Sequence, residues 1–211
     1  MEFITFILTA SAAAFTFFAG RLLTSSPRRL LVLGMPQSGK TTLLNILRDE
    51  TSRKSVATHS LKTIEQCKIK FKNKEITLGK TLDIPGDFSA QKTALEKDVK
   101  NFFKEKNGLI LYMINCNDLE SKNLLDYTCL ILRKALDAYA NAKVAIIYSH
   151  PDEARVNEDS LNKIHKDFSD KLKEADWDEL ADDFLKIKHY MINLIGKDAK
   201  EHLEKVFKDC E

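Results

Sequence analysis

No excess of either charge sign marks this chain: 33 Lys+Arg stand against 31 Asp+Glu, a formal net charge of +2. So small an imbalance supplies no basic surface of the kind nucleic acid needs, and no direct nucleic-acid partner is expected. There is no C-x-x-C pair. Cys67, Cys116, Cys129 and Cys210 show no metal-ligand spacing with the five histidines, which argues against a metal or disulfide framework and for reduced thiols in a cytosolic compartment. Cys210 is followed only by Glu211, so the three residues a prenylation signal places after its cysteine are lacking. Internal repeats and low-complexity segments are absent as well.

What is present divides into an apolar segment and a globular remainder. With 44% hydrophobic residues, 211 residues suffice for one domain of ordinary size plus an addition. The addition is Phe3 to Gly20, 18 residues without a charge. As a helix it would measure about 27 Å, close to the roughly 30 Å hydrocarbon core, with Leu22 and Leu23 able to extend it while Arg21 snorkels. Only Glu2 is charged before it, whereas Arg21, Arg28 and Arg29 follow it, so the positive-inside bias places the rest of the chain in the cytosol. A cleaved signal peptide would want a positive n-region, which is missing. The expected organisation is a signal-anchor over 1–23, a linker over 24–29 and a globular domain over 30–211.

The domain is built around Gly34-Met-Pro-Gln-Ser-Gly-Lys-Thr41, preceded by the apolar run Leu30 to Leu33 and followed by the helical-looking Thr42 to Leu47. This is G-x-x-x-x-G-K-[ST] in its required context of strand, loop and helix. Gly34 and Gly39 let the loop that contains Pro36 curl round a phosphate at the helix start, with the backbone N–H groups of Gln37, Ser38, Gly39 and on to Thr42 gathered on it. Lys40 would reach the β- and γ-phosphates and Thr41 would offer a hydroxyl to Mg²⁺, so a nucleoside triphosphate with magnesium is the expected ligand.

Further along, Cys67 to Lys72 alternates apolar and basic residues and turns at Asn73-Lys74 into Glu75 to Leu78, a hairpin pattern with Lys68, Lys70 and Lys72 on one face. That face would either attract an acidic partner or lipid headgroups, or protect an edge strand. The strand leads to Asp83-Ile-Pro-Gly86, a D-x-x-G pattern 43 residues after Lys40, in which Asp83 would hold Mg²⁺ through water and Gly86 would give its N–H to the third phosphate. The remainder alternates strand and helix: a helix over about 90–106, a strand over 108–115, a helix over 119–140, a strand over 144–148, a helix over 160–174, a strand over 187–193 and a last helix to about Lys208. Trp177, Phe102, Phe103 and Phe184 are expected in the core.

This order of elements resembles the Ras/ADP-ribosylation-factor-type small GTPases. The apolar N-terminal segment and the proline of Asp83-Ile-Pro-Gly86 most resemble the beta subunits of the signal recognition particle receptor. The resemblance implies an α/β P-loop fold with a mostly parallel six-stranded sheet and helices on both faces, after one transmembrane helix. It implies GTP and Mg²⁺ as cofactors, with Thr58 the switch-loop hydroxyl on the metal beside Thr41 and Asp83. It also implies a receptor subunit in the endoplasmic reticulum membrane, single-pass, partnered by the receptor's alpha subunit in protein targeting.

The guanine motif N-K-x-D falls on Ser149-His150-Pro151-Asp152, so Asp152 would take the guanine N1 and N2 protons without the usual asparagine and lysine. The S-A-K motif falls on Ile195-Gly196-Lys197, where a backbone N–H would reach guanine O6. Asp87 replaces the glutamine that orients water in hydrolysing members, and slow or partner-dependent hydrolysis is expected. Two other classes fit the same residues: a membrane-tethered P-loop enzyme in which Asp87 or His150 acts on a substrate, and a degenerate GTPase serving as a scaffold. No arginine-rich lid of the kinase type follows Thr41.

Overall fold

The computed structural model describes residues 28–49, 62–64, 67–71, 75–97, 108–138 and 142–210. Its elements in order are β1 (Arg28–Gly34), α1 (Lys40–Leu47), β2 (Lys62–Ile64), β3 (Cys67–Lys70), β4 (Glu75–Asp83), α2 (Phe88–Lys97), β5 (Gly108–Asn115), α3 (Lys122–Ala138), β6 (Lys143–Ser149), α4 (Leu161–Glu174), α5 (Asp178–Lys186), β7 (Lys188–Ile192) and α6 (Ala199–Asp209). Residues 1–27, with the Phe3 to Gly20 run, lie outside the described residues, as do Thr58, Phe102 and Phe103. Among the described residues no helix is long and apolar enough to cross a membrane.

Continuous apolar runs become the central strands, because a strand paired on both edges and covered on both faces has no side left for water. The sheet order is β2-β4-β1-β5-β6-β7, with β3 also paired to β4. Strands β4, β1, β5, β6 and β7 are mutually parallel where they pair, while β2 and β3 run antiparallel to β4. Both short strands follow one continuous register along β4, so seven segments fill the six positions the sequence predicts. In β3 the alternation holds: Ile69 and Phe71 are buried, Lys68 and Lys70 are exposed, and Lys68 pairs with Glu75 at 2.9 Å.

Successive residues of β1 feed two separate cores. Leu31 and Leu33 join the core under α2, α3, α4 and α5, and Leu30 and Val32 join the core under α1 and α6. Cys116, Cys129 and Cys210 are buried, and burial pushes the thiols of Cys116 and Cys129 up to about 11.

Helix α5 is the element that sequence periodicity does not resolve. Its nine residues bury Leu180, Ala181 and Phe184, with Asp178 and Glu179 in the first turn and Lys186 in the last, as the helix dipole favours. Phe184 is core, as expected, and Trp177 packs against that core while partly exposed. Phe184 stacks on the buried His165 of α4 at 4.4 Å, and His189 of β7 stacks on His165 at 3.8 Å. The His165 Nε2 lies 3.0 Å from the Phe184 carbonyl, which only accepts, so Nε2 carries the proton. Nδ1 is then bare and accepts a hydrogen bond from the Tyr148 hydroxyl at 3.0 Å. Burial, then the neighbouring His189, holds the His165 imidazole down at about 4.

Candidate functional site

Five parallel strands end on one side of the sheet, and the sequence motifs follow those ends, where ligands of open α/β sheets bind. β1 ends at Gly34, β4 at Asp83, β5 at Asn115 and β6 at Ser149, with Asn193 to Lys197 following β7. The β4–β1 register sets Asp83 beside Val32, two residues before the phosphate loop. Thr41 lies in the first turn of α1.

The phosphate loop has the backbone its residues predict. Gly39 is the N-cap of α1 at φ +86°, a left-handed conformation that costs a side-chain-bearing residue energy. A Cβ there would also come within 2.6 Å of Leu194 Cδ1, the end of a side chain that would have to turn aside, so it is the angle that calls for glycine. Gln37 is left-handed too, at φ 62°. Lys40 is buried and folds back across the loop, its Nζ donating to Gly34 O at 2.9 Å and Met35 O at 2.7 Å.

Two residues that sequence reasoning missed complete the surround. Gln91 of α2 is fully buried and donates from Nε2 to Gly34 O at 2.9 Å and Pro85 O at 2.8 Å. Tyr127 of α3 donates its hydroxyl to Gly34 O at 3.1 Å, and burial pushes that phenol well above its usual range. Nothing in local pattern marks either residue as reaching the phosphate loop, since Gly34 is 57 positions from Gln91 and 93 from Tyr127. Gly86 lies directly against the loop, where an added Cβ would stand 2.6 Å from Pro36 Cα. A cavity of about 370 Å³ opens beside this contact, lined by Met35, Pro36, Phe88, Tyr127 and Leu130 with Asp87, Asn123 and Asp126 at its edges.

Asp87 has a structural use. Its Oδ1 accepts the Ala90 N–H at 2.9 Å and its carbonyl accepts the Gln91 N–H at 3.0 Å, which makes it the cap of α2. An aspartate just before a helix is itself a cap signal, and it was the available clue.

At the base end, Ser149 is fully buried and donates to Ser38 O at 2.9 Å and Ile114 O at 3.2 Å, joining the end of β6 to the phosphate loop. Asn115 Nδ2 adds a second tie, to Gln37 O at 3.3 Å. His150 has φ 57°, and its Nδ1 lies 3.5 Å from Glu153 Oε1. Asp152 is exposed in the following turn, as is Lys197 after β7. The Gly196 N–H donates to Asn193 O at 3.1 Å, within its own turn.

The fit to a phosphate ligand is tested by the buried polar atoms that lack a partner among the described residues. They are Ser38 Oγ, Thr81 Oγ1, Gln91 Oε1 and His150 Nε2. Ser38 lies in the loop, Gln91 bonds to it, and His150 Nε2 stands 3.6 Å from where a Gly39 Cβ would be. Buried unpaired groups are costly and rare in a finished core, and two of these, Ser38 Oγ and His150 Nε2, can donate, so they mark a place built to meet a polar acceptor. The residues fit a nucleotide phosphate, with Lys40 and the N-terminus of α1 at the loop that would receive it.

Strand order, phosphate loop and D-x-x-G together define an α/β P-loop GTPase fold. The family model described as ferrous iron transport protein B, a GTPase-domain family, matches residues 28–164, and the chain belongs to that family. No curated protein matches it.

Among solved structures it resembles the mammalian signal recognition particle receptor, with 18% identity, TM-score 0.64, and coverage of 87% of this chain and 100% of that one. It also resembles the signal recognition particle receptor SRb-GTP/SRX complex from Chaetomium thermophilum, with 14% identity, TM-score 0.59, and coverage of 85% and 97%. Roco2 RocCORdC of Methanosarcina barkeri bound to GDP shares the fold at 18% identity and TM-score 0.52, over 87% of this chain and 48% of that one. The chain is thus a small GTPase resembling SRb, and these identities speak to fold alone.

Proposed function

We propose that this protein is a membrane-anchored, GTP-binding assembly switch of the signal recognition particle receptor beta type. The observation that carries the switch is the packing of Gly86 against Pro36, which brings the D-x-x-G segment up to the phosphate loop. In this reading Lys40, Thr41, Thr42 and the loop from Gly34 to Gly39 hold the phosphates, Gly86 senses the third one, and Asp152, Gly196 and Lys197 meet the guanine. Thr41, Thr58 and Asp83 serve the metal. Those residues would hold Mg²⁺, which would supply positive charge to offset that of the triphosphate. The ordered loops then form the surface that a partner reads.

Phe3 to Gly20, followed by Arg21, Arg28 and Arg29, supports a single-pass anchor with the domain in the cytosol. The likeness to a receptor structure that is itself an SRb-GTP/SRX complex supports a receptor-type partner; the endoplasmic reticulum membrane and the receptor alpha subunit are carried by the resemblance of the N-terminal apolar run and Asp83-Ile-Pro-Gly86. The test is capture of the N-terminal domain of that alpha subunit by the full chain in membranes. Capture with a non-hydrolysable GTP analogue and none with GDP is expected; capture indifferent to nucleotide would move the reading to a scaffold. Because the Asp87 carboxylate caps α2, single-turnover hydrolysis without a partner is expected far below about 1 per second.

A further inference from the structure

We infer that Gln91 is a positioning residue that holds the D-x-x-G segment at the phosphate loop and so makes the site favour a triphosphate over a diphosphate. The inference rests on the reading of that loop as a nucleotide site. It goes beyond that reading by assigning the discrimination to a residue outside every motif.

Gln91 makes one bridge between two parts of the chain. A single amide nitrogen donates to Gly34 O at 2.9 Å, where the loop begins, and to Pro85 O at 2.8 Å, in the residue before Gly86. The side chain is fully buried, so water does not compete for either bond. Its own placement is fixed from both sides. The Asp87 cap starts the helix that carries it, and Phe88 packs edge-on against Tyr127 at 6.0 Å, locking α2 to α3.

The carbonyl of Gly34 explains why the bridge suits the loaded site. It faces three donors: Lys40 Nζ at 2.9 Å, Gln91 Nε2 at 2.9 Å and Tyr127 OH at 3.1 Å. A carbonyl oxygen has two lone pairs. When Lys40 turns from this carbonyl to a phosphate, Gln91 and Tyr127 still satisfy it, and the loop keeps its shape. With Lys40 withdrawn, the bridge from Gly34 to Pro85 continues to hold Gly86 beside Pro36. Only a third phosphate reaches Gly86 there, so the bridge contributes to binding of the triphosphate and not of the diphosphate. A contact made in one state and not the other is what shifts a two-state equilibrium.

The experiment is titration of the full-length protein and its Gln91→Met variant with fluorescent GDP and a fluorescent non-hydrolysable GTP analogue, both with Mg²⁺. Methionine keeps length and burial and removes the donor. Affinity for the triphosphate analogue is expected to fall on the order of tenfold, with GDP changed less than about twofold. Equal weakening of both, an unchanged ratio, or a ratio moved toward the triphosphate would overturn the assignment.

A second measurement needs no variant. The Gln91 side-chain amide protons of the wild-type protein should exchange with solvent more slowly when the triphosphate analogue is bound than when GDP is, and equal exchange would overturn the assignment. A wild-type protein that binds neither nucleotide would instead sink the phosphate-site reading itself, and the inference with it.

Discussion

The two ends of the candidate site are built by different means. At the phosphate end, residue identity and backbone shape are the same fact: Gly39 takes φ +86° and begins α1, and Lys40 follows at the mouth of the loop. At the base end, identity has drifted while a connection persists. Ser149, where the motif has asparagine, is fully buried and binds Ser38 O and Ile114 O, so the end of β6 stays fastened to the loop. A short hydroxyl reaches those carbonyls because β6 and β5 run in register up to Asn115 and Ser149. The lesson is that Ser149 serves the scaffold, fastening the end of β6 to the phosphate loop, at a position where the motif's asparagine would serve the ligand.

This contrast is broken most strongly at Lys40. Lys40→Met removes the ammonium that meets the phosphates, and nucleotide affinity measured by titration should fall on the order of 100-fold or more for GTP and ATP alike. A loss confined to one base would mean that the two ends are not separable.

Acid should act on the packing of α4 and α5 against β6 and β7. His165 lies under β6 and β7, and its imidazole is held at about 4 in the fold against an ordinary value near 6.5. Between those values the unfolded chain binds the proton and the folded one does not, so stability rises with pH from about 4 to 6.5 and is level above. The expected loss on acidification is on the order of 2–3 kcal/mol, read as a fall in thermal midpoint. His165→Phe should flatten that profile, and a profile unchanged by this substitution would refute the account of His165.

Asp152→Ala sharpens the contrast from the other side. It should weaken GTP by roughly tenfold, the size of a lost charge-assisted bond, and leave ATP unchanged. The smallest effect is expected for Ser149→Ala, which leaves Ser38 O and Ile114 O short of a donor. A cost of about 1 kcal/mol, or a midpoint lowered by roughly 2–4 °C, should appear in a thermal melt, with nucleotide affinity reduced for both bases.

How much of this was legible in the sequence follows the range of the forces. The strands of β1, β5 and β6 were readable because unbroken apolar runs have one good solution in a sheet covered on both faces. The loop was readable because its glycines are local necessities. The hairpin of β3 and β4 was readable from alternation and a turn.

Gln91, Tyr127 and the tie made by Ser149 were not, because each bonds across 57 to 111 positions of chain and no local pattern encodes the partner. Helix α5 escaped because its nine residues give little more than two turns of periodicity. Asp87 was seen as a charge near the phosphate, while its bond to the Ala90 N–H shows it capping a helix.

The central claim is a site whose phosphate end is intact and whose base end is altered yet still directed at guanine. It is tested most directly by measuring GTP and ATP affinity of the purified full-length protein, each with and without Mg²⁺. Magnesium-dependent binding with GTP tighter than ATP is the predicted result. Equal affinity for the two, or binding indifferent to magnesium, would contradict it.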